Sequence, residues 1–510
     1  MTDQELLFKP IPCDKYDLLT KEEVIALYED QINLNKQMQT HLEKLYSKLT
    51  QAEQKSFLLG EITINIKHRI FGKSSEKSPK GKKDKKGHKK AGKRVKLPSQ
   101  RYPELSVLEK DVEMEHAPTC PCCNKQMQDS GLTEDSEYLT IIPKQYFVVK
   151  QKRHKYRCSN CQGALVTAPA IPRITPGSSY SDEMILDATL SKYCDLIPME
   201  RYTEMAARSG VKGIPANSLI QASHHVADFL SGVYEDIKEE VLESTVIHAD
   251  ETPHRMLEGD NKSKWYMWGF STSSAAYFEN QPTRSGEVAV NFLNESKCEY
   301  LVSDVFSGYR KAVSDSNKFR ADKGFKLIKN IYCNAHARRK FKEAHRSGFK
   351  QEADYFLWCY RKIYHLEKKK DFKHRRSWQR LYFKAMEQFG INIKNAYSSK
   401  SSLGKAINYL INNFDELTHF LEAEHIPIDN NAQERLMRSP VVGRKTWYGT
   451  HSVRGATTNA IIFSLVESCK LNKINPREYF KEVVLAIHQG QQRFTPAEYR
   501  AKKLLLQNQA

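Results

Sequence analysis

The sequence of 510 residues contains no apolar run that approaches the roughly 20 residues needed for a membrane-spanning helix. Its first residues, MTDQELLFKP, lack the basic flank and the apolar core of a secretory signal peptide. We therefore expect no membrane association and a cytoplasmic location. Cysteine is limited to eleven residues, and in a reducing compartment clustered cysteines indicate a metal site whereas scattered ones indicate buried thiols. The length and a hydrophobic content of 40% predict several domains with cores of their own.

Acidic residues are too few to balance the basic ones, and the formal net charge is +19. About half of this excess lies between Gly72 and Lys96, where twelve Lys or Arg residues face two acids. The segment has almost no apolar residues, so it cannot bury a core and is predicted to be disordered. Two interpretations remain open, a solvated spacer and an arm that adds sequence-independent, salt-sensitive affinity for DNA.

The segment from Lys21 to about Ile70 is predicted to form one long helix. Leucine and methionine recur at steps of three, four or seven residues, at Leu27, Leu34, Met38, Leu42, Leu45 and Leu49. Such spacing is typical of a coiled-coil seam. A helix that packs within its own chain would show a similar stripe, so the coiled coil and intrachain packing both stay open as interpretations.

Two cysteine pairs of the form CxxC follow the basic segment. Cys120 and Cys123 make the first pair, and Cys158 and Cys161 make the second after an interval of thirty-four residues. Four thiolates in this arrangement suit a closed tetrahedral site for one structural Zn²⁺, with Cys122 as the spare. The intervening sequence YLTIIPKQYFVVKQKRHKYR predicts the strands of a zinc ribbon.

Two acids are predicted to lie where apolar strands end. Asp250 ends the β-branched run STVIHAD, before a ThrPro pair that should stop regular pairing, and Asp304 ends the run EYLVSD. A third acid, Glu434, is predicted on a short helix that begins with the Asx residues of DNNAQER and ends at Pro440. Mg²⁺ prefers oxygen ligands and takes one or two carboxylates along with water and phosphate. The three acids can therefore hold two ions over one phosphodiester, although each acid alone is more typical of a solvated or capping group.

The surrounding motifs resemble the DDE transposases of the insertion sequence 66 family. In chain order they are RIFGKSSEK, CPCC, PGSSYSDEM, SKYCDLIPMERY, DETP, the Asp before SerGlyTyr, CNAHARRKF, SSLGKAINYLINNFDELTHFLE, IDNNAQER, GRKTWYGTHS and FSLVESCKLNKINPREYF. One departure is AlaGlnGluArg where the family usually has AlaAlaGluArg, and another is YGTHS after GRKTW. The resemblance implies that Asp250, Asp304 and Glu434 are the catalytic metal ligands.

The family resemblance also implies an activity and its partners. The expected reaction is cleavage at insertion-sequence ends followed by strand transfer, by in-line phosphoryl transfer with two Mg²⁺ ions, for which Mn²⁺ can substitute. The partners implied are double-stranded DNA, a second copy of the chain joined through a zipper, and accessory transposition proteins in a bacterial, nucleoid-associated setting. Two alternatives are a zinc-containing DNA-binding protein without catalysis and a nuclease of the same fold that cuts without joining.

The predicted fold class is multidomain α+β with a ribonuclease-H-like α/β core. The segments expected are a dimerisation helix (1–71), a basic linker (72–98), a zinc ribbon (99–172), a helical, possible helix-turn-helix segment (173–243), the first part of the core (244–336), a helical insertion (337–425), the second part of the core (426–470) and a helical tail (471–510). In segment 173–243 a recognition helix starting near Asn217, with His224 and His225 towards a groove, is weighed against a packing role.

Further residues are assigned to DNA binding or to support of the site. Cys333 and His336 of CNAHARRKF are expected to support the acids, with zinc ligation as the other reading. The basic residues expected at DNA are Lys150, Lys152, Arg153, Lys155 and Arg157 in the ribbon, Arg338 and Arg339, and Arg435, Arg438, Arg444 and Lys445 around the third acid. Trp447 and Tyr448 are suited either to stacking on an unpaired base or to core packing.

Overall fold

A computed structural model describes residues 97–110, 118–127, 136–158, 165–258 and 264–509. The predicted dimerisation helix and nearly all of the basic linker lie outside the described residues. The chain divides into two units, one formed by Lys73–Gln151 and the other by Met1–Gly72 with Lys152–Ala510. No helix of the described ranges is long and apolar enough to cross a membrane.

The smaller unit contains a short helix, α1 (Pro98–Arg101), and a tight turn around the first cysteine pair. In that turn Thr119 and Gln126 form an antiparallel bridge, and Asn124 adopts the left-handed conformation at φ 56°. The prediction of strands from Tyr138 onward is wrong for residues 138–154, which have no regular structure. Within the described ranges their apolar side chains contact neither a paired strand nor a core, since Ile142 and Val148 are 84% and 96% exposed. High β-propensity without a partner strand does not make a strand.

In the larger unit a short hairpin precedes four helices. Its strands are β1 (Lys155–Arg157) and β2 (Leu165–Thr167), which pair antiparallel. The helices are α2 (Asp182–Tyr193), α3 (Met199–Arg208), α4 (Ala216–Phe229) and α5 (Ser231–Leu242). The Ser181 side chain caps α2, and prolines at 198 and 215 precede α3 and α4. The apolar faces of α2, α4 and α5 share one hydrophobic cluster with the sheet described next.

Helix α4 does not present both histidines to a DNA groove. His224 is buried, its Nδ1 lies 2.7 Å from the hydroxyl of Thr458, and burial lowers its pKa to about 4. The buried face of α4 also includes Leu219 and Val226. Of the two interpretations left open, the structure supports the packing role for His224, because the helical period places this histidine on the core face.

Five strands form the central sheet, in the spatial order β5-β4-β3-β6-β7. Their bounds are β3 (Val246–Arg255), β4 (Lys264–Ser271), β5 (Ala276–Gln281), β6 (Tyr300–Ser303) and β7 (Lys329–Tyr332). The first three form an antiparallel meander, and β6 and β7 run parallel to β3 and to each other. Helix α6 (Glu287–Glu295) connects β5 to β6, and α7 (Ser307–Asp322) connects β6 to β7.

Strand β3 continues through the ThrPro pair that was predicted to end it. Its pairing with β4 runs from His248 to Arg255, whereas its pairing with β6 stops at His248. Beyond that point one side of β3 is an edge of the sheet. Proline is tolerated at such an edge because no neighbouring strand needs its missing N–H, so Pro253 does not interrupt the strand.

A helical segment follows β7 and builds a second hydrophobic core. It comprises α8 (Asn334–Arg346), α9 (Lys350–Leu366), α10 (Phe372–Ile393), α11 (Ser402–Asn412) and α12 (Phe414–Thr418). Buried aromatic rings dominate this core, and the rings of Phe341 and Phe356 stack with centroids 4.1 Å apart. The amide of Asn334 donates to the carbonyls of Leu417 and Ile428, which fixes the end of the segment beside its start.

The chain then returns to the sheet through α13 (Asn431–Leu436), α14 (Arg438–Trp447), α15 (Val453–Leu471), α16 (Pro476–His488) and α17 (Pro496–Gln509). Helix α15 is buried along most of its length and covers the outer edge of β5. There Ser464 and Ser468 accept hydrogen bonds from the backbone N–H groups of Phe278 and Ala276, at 2.8 and 2.9 Å. An otherwise open sheet edge is thereby closed by helix side chains.

Candidate active site

Two of the predicted acids lie side by side at the end of the parallel pairing between β3 and β6. The register places His248 opposite Val302 as the last pair. Asp250 is two residues beyond His248, and Asp304 is two residues beyond Val302. Side chains two residues apart in a strand point to the same face, so the register brings both carboxylates to one position at the sheet.

The third acid, Glu434, reaches the same place because the start of α13 is tied to β3. The Asn430 amide donates to the carbonyl of Ala249 at 2.9 Å, and its Oδ1 lies 2.8 Å from Nδ1 of His248. The N–H of Asn430 also donates to Sγ of Cys333, with the two atoms 3.2 Å apart. Asn430 therefore joins α13, β3 and the start of α8, and we call this set of contacts the Asn430 clamp.

The predicted helix around Glu434 differs from the observed one in two ways. Asn430 occupies the N-cap position but makes no side-chain cap bond, because its amide is used by the sheet. The helix ends at Leu436, and Pro440 lies inside the first turn of α14, where proline costs little because no intrahelical N–H bond is lost. The prediction that this helix ends at Pro440 was therefore wrong.

The departure from the AlaAlaGluArg pattern also has a structural counterpart. Gln433 is fully buried, and its Oε1 accepts a hydrogen bond from the hydroxyl of Ser271 on β4. A Cβ at Gly269 would collide with the Gln433 amide. The larger side chain at position 433 is therefore accommodated by a glycine and a serine on the strand beneath α13.

Uncompensated negative charge distinguishes this group of acids from solvated ones. Burial raises the pKa of Asp250 to about 8, and the neighbouring carboxylates of Glu251, Asp304 and Glu434 add to the effect. Oδ1 of Asp304 and Oε1 of Glu434 are buried and have no hydrogen-bond partner within the described ranges. Buried oxygens that lack donors are expected to be met by a cation or by water.

Glu251, which strand alternation predicts on the opposite face from Asp250 and outside the site, is a further acid in this environment, and its side chain is only 3% exposed. Its carboxylate accepts hydrogen bonds from the Tyr309 hydroxyl, at 2.6 Å, and from the Arg284 guanidinium. Burial raises its pKa, while both of these donors oppose that rise. Because its oxygens are already bonded, Glu251 supports the electrostatics of the site and is not a surface acid.

The motif CNAHARRKF lies beside the third acid. Cys333 is buried at the N-cap position of α8, and burial raises the pKa of its thiol to about 12. In the first turn of that helix, Nδ1 of His336 lies 3.7 Å from Oε1 of Glu434. Arg339 places its Nη2 3.9 Å from the other oxygen of Glu434. The structure thus brings Cys333 and His336 to the site from the strand end and the following helix.

The basic residues assigned to DNA are mostly available at the surface of their units. Arg444 is half-buried and donates to the Thr252 hydroxyl at 3.3 Å, and burial lowers its pKa. Arg338 is also half-buried, whereas the exposed ones are Lys150, Lys152, Arg153, Lys155, Arg157, Arg435, Arg438 and Lys445. Trp447 packs edge-on against Tyr193 with centroids 6.1 Å apart, whereas Tyr448 is 72% exposed. Of these two aromatic residues, only Tyr448 remains suited to stacking on a base.

The predicted zinc ligands are described only in part. In the first pair, the turn directs the backbone N–H groups of Cys122 and Cys123 towards Cys120, and these hydrogen bonds lower the pKa of the Cys120 thiol. Cys158 is exposed directly after β1. Cys161 lies outside the described residues, so the second pair is not seen in full.

The raised pKa of Asp250 predicts how the metal-free protein responds to pH. An aspartate titrates near 3.9 when unfolded, so between about pH 4 and 8 the folded state binds more protons than the unfolded state. The free energy of unfolding should therefore fall as pH rises through this range, by at most about 1.4 kcal/mol per pH unit from this residue. Asp250→Asn should remove that contribution.

Thermal melts of wild type and Asp250→Asn in a chelating buffer, from pH 4.5 to 8.5, would measure this difference. Chelation removes any zinc from both proteins, so the difference between their curves reports on Asp250. The variant should gain stability relative to wild type as pH rises. Parallel curves at all pH values would refute the electrostatic description of the site.

Comparisons with known proteins identify the family of the chain. A family profile described as "Transposase IS66 family" matches residues 177–458, which is more than half of the chain. A second profile, "zinc-finger binding domain of transposase IS66", matches residues 118–162. Both matches confirm the resemblance inferred from the motifs.

Three relatives come from Sinorhizobium fredii (strain NBRC 101917 / NGR234). Uncharacterized protein y4jD is 24% identical over 388 residues, which is 73% of this chain and 75% of the relative. Uncharacterized protein y4qI is 26% identical over 404 residues, covering 76% and 73% of the two chains. Uncharacterized protein y4hP is 24% identical over 405 residues, covering 74% and 72%.

Proposed function

The chain belongs to the IS66 transposase family, and we propose that it cleaves the ends of an insertion sequence and joins the freed 3′ ends to target DNA. The observation that carries this proposal is the convergence of Asp250, Asp304 and Glu434 from β3, the end of β6 and α13. Two of the three carboxylates keep buried oxygens without partners in the described part of the chain. A phosphoryl-transfer site needs such a group of carboxylates to hold its metal ions.

The strand order supports the proposed ribonuclease-H-like core. That fold has an antiparallel meander of three strands joined to parallel strands, and here β3, β4 and β5 form the meander while β6 and β7 continue from β3. In this core Asp250 lies on the first strand, β3, and Asp304 directly follows the fourth, β6. Glu434 lies on α13, which follows the helical segment that begins with α8.

The residues fit the divalent metal that the family implies. Asp250, Asp304 and Glu434 would hold two Mg²⁺ ions, or Mn²⁺ in their place, because hard cations prefer carboxylate oxygens. When bound, the ions supply Lewis acidity at the attacking and leaving oxygens of an in-line displacement. The raised pKa of Asp250 fits this role, since burial and, to a lesser extent, the neighbouring carboxylates disfavour its ionised form, and a bound cation would favour that form.

The side chains of the site then act by positioning and electrostatics. We assign no nucleophilic role to a side chain, because water attacks in cleavage and the freed 3′-hydroxyl attacks in joining. The Asn430 clamp holds Glu434 against β3. Arg339, half-exposed beside Glu434, is placed to meet a phosphate oxygen of the bound strand.

The remaining basic residues would fix the DNA backbone around the site. Arg435, Arg438 and Lys445 are exposed on α13 and α14, close in sequence to the third acid. Contacts of this kind add affinity without reading sequence and weaken as salt rises. The proposed partner is double-stranded DNA at the element ends and at the target, held by a homodimer or larger assembly whose zipper would lie within residues 1–71.

We also propose that Cys120, Cys123, Cys158 and Cys161 bind one structural Zn²⁺, consistent with the zinc-finger match at residues 118–162. Cys123→Ser should lower the zinc content by about one ion per chain and weaken binding to element-end DNA. Cys122→Ser is the matched control and should retain zinc, because Cys122 is the spare cysteine. Metal analysis of the purified proteins makes the measurement, and equal zinc loss in both variants would contradict the ligand assignment.

A strand-transfer assay tests the proposed function. Oligonucleotides carrying the inverted repeats that flank the gene would be incubated with the protein, target DNA and Mg²⁺. Joined products support the proposal. Cleavage without joining would indicate a nuclease of the same fold, and binding without cleavage would indicate a DNA-binding protein that no longer catalyses.

A further inference from the structure

Next to the acids, Cys333, His336 and Glu434 form a second group of metal-ligating side chains. One ligand atom from each residue lies within 4.8 Å of the others. Cys333 precedes α8 and His336 lies in its first turn, so their three-residue spacing puts them on one helix face. Glu434 faces them from α13. We call these three residues the Cys333–His336–Glu434 trio.

Two of the three ligand atoms are buried and have unmet hydrogen-bonding capacity. Nδ1 of His336 and Oε1 of Glu434 have no hydrogen-bond partner in the described part of the protein. They face each other at 3.7 Å, which is too long for a hydrogen bond. An ion between them would satisfy both atoms at once.

The third ligand atom is already oriented. Sγ of Cys333 accepts the N–H of Asn430 at 3.2 Å, a hydrogen bond of the kind that orients a ligating sulfur. The same asparagine ties α13 to β3, so the clamp that positions Glu434 also positions Cys333. Both residues are thus held in place by backbone and side-chain bonds that a metal ion need not supply.

We propose that the trio binds a borderline-soft divalent cation of the Zn²⁺ class. Thiolate and imidazole select Zn²⁺ over Mg²⁺, which prefers oxygen ligands alone. Three protein ligands leave the fourth position of the ion open to water, in contrast to the closed four-cysteine sites of structural zinc. On binding, the Cys333 thiol would release its proton to solvent, and the resulting thiolate and the Glu434 carboxylate together balance the charge of the ion, which favours binding in a partly buried place.

The consequence for activity rests on the function proposed above. Glu434 belongs both to the trio and to the proposed magnesium site. A Zn²⁺ ion held by Cys333 and His336 takes up Oε1 of Glu434, so it competes with Mg²⁺ for this carboxylate. Zinc bound at the trio therefore inhibits DNA cleavage and joining, and removal of this zinc restores them.

The binding test uses the full chain with its zinc ribbon loaded, and Zn²⁺ or Co²⁺ as the probe. Wild type should take up one more ion than Cys333→Ser or His336→Gln, and each variant should bind this second ion at least about 100-fold more weakly. Cobalt should give a thiolate charge-transfer band that Cys333→Ser lacks. Cys359→Ser, a buried cysteine within the core of the helical segment, is the control and should behave as wild type. Equal uptake by all four proteins would overturn the site.

Two variants keep the test decisive if one fails to fold, and circular dichroism would show which are folded.

The activity test measures how strongly added micromolar Zn²⁺ inhibits each protein, relative to the activity of the same protein with Mg²⁺ before zinc is added. Wild type and Cys359→Ser should be inhibited, and the two trio variants should resist. Zinc uptake at the trio without inhibition would overturn the competition. Zinc uptake by a protein with no DNA activity in any metal would uphold the site and refute the proposed function.

Discussion

Replacing Asp304 with asparagine is expected to eliminate end cleavage and strand transfer while leaving the affinity for element-end DNA within about twofold. Asparagine keeps the size of the side chain but removes the charge that holds a divalent cation. A lost metal ligand costs several kcal/mol of transition-state stabilisation, which corresponds to a rate reduction on the order of 10³-fold or more. Because Oδ1 of Asp304 is unpartnered in the described structure, the change should cost no hydrogen bond at that atom.

The matched control is Asp315→Asn, which alters an acid on α7 that pairs with Lys318 at the surface. This exposed pair contributes at most about 1 kcal/mol, so the control should fold, bind and react as wild type does. Gel-shift and strand-transfer assays on the same preparations separate binding from chemistry. Joining by the Asp304→Asn protein at a rate near that of wild type would refute the role of this residue.

The second large effect is expected at the Asn430 clamp. Asn430→Ala leaves the carbonyl of Ala249 and the ring of His248 without their partner inside the protein. Buried polar groups left unsatisfied cost about 1–3 kcal/mol each, so the loss of both partners should lower the free energy of unfolding by roughly 2–6 kcal/mol. Catalysis should fall more steeply than stability, because Glu434 loses the contacts that fix its helix to β3.

Asn317→Ala is the control that separates stability from function. Asn317 makes two side-chain bonds with the backbone of Ile328, and both lie outside the group of acids. Its loss should lower stability by a comparable amount but leave catalysis by the folded protein nearly unchanged. Denaturant titration and strand-transfer rates would be measured for both variants. Equal catalytic losses in the two would show that the clamp has no specific part in positioning Glu434.

The three acids could be predicted because each lies in a short, recognisable sequence pattern. Apolar runs that lead into Asp250 and Asp304, and Asx residues before Glu434, are visible in a short window of sequence. The meander followed by parallel strands was also foreseeable from the order of the strands. What local patterns could not supply were the contacts between distant segments, such as Asn430 with His248 or Ser464 with the edge of β5.

The errors have the same origin. Pro253 was predicted to end a strand, but the end of the β3 and β6 pairing makes this part of β3 an edge where proline is tolerated. Residues 138–154 were predicted as strands from β-propensity, yet no strand among the described residues pairs with them. Glu251 was predicted to lie outside the site, on the opposite face of the strand from Asp250, because its partners, Tyr309 and Arg284, lie more than thirty residues away in the chain. In each case the structure depends on the presence or absence of contacts with residues distant in the chain, which a local sequence pattern does not contain.

The central claim is that three carboxylates form one divalent-metal site. Anomalous diffraction from crystals grown with Mn²⁺ tests it most directly, because manganese can replace magnesium and is visible at its own absorption edge. We expect manganese between the carboxylates of Asp250, Asp304 and Glu434. Manganese bound elsewhere, with none at Asp250 and Asp304, would contradict it.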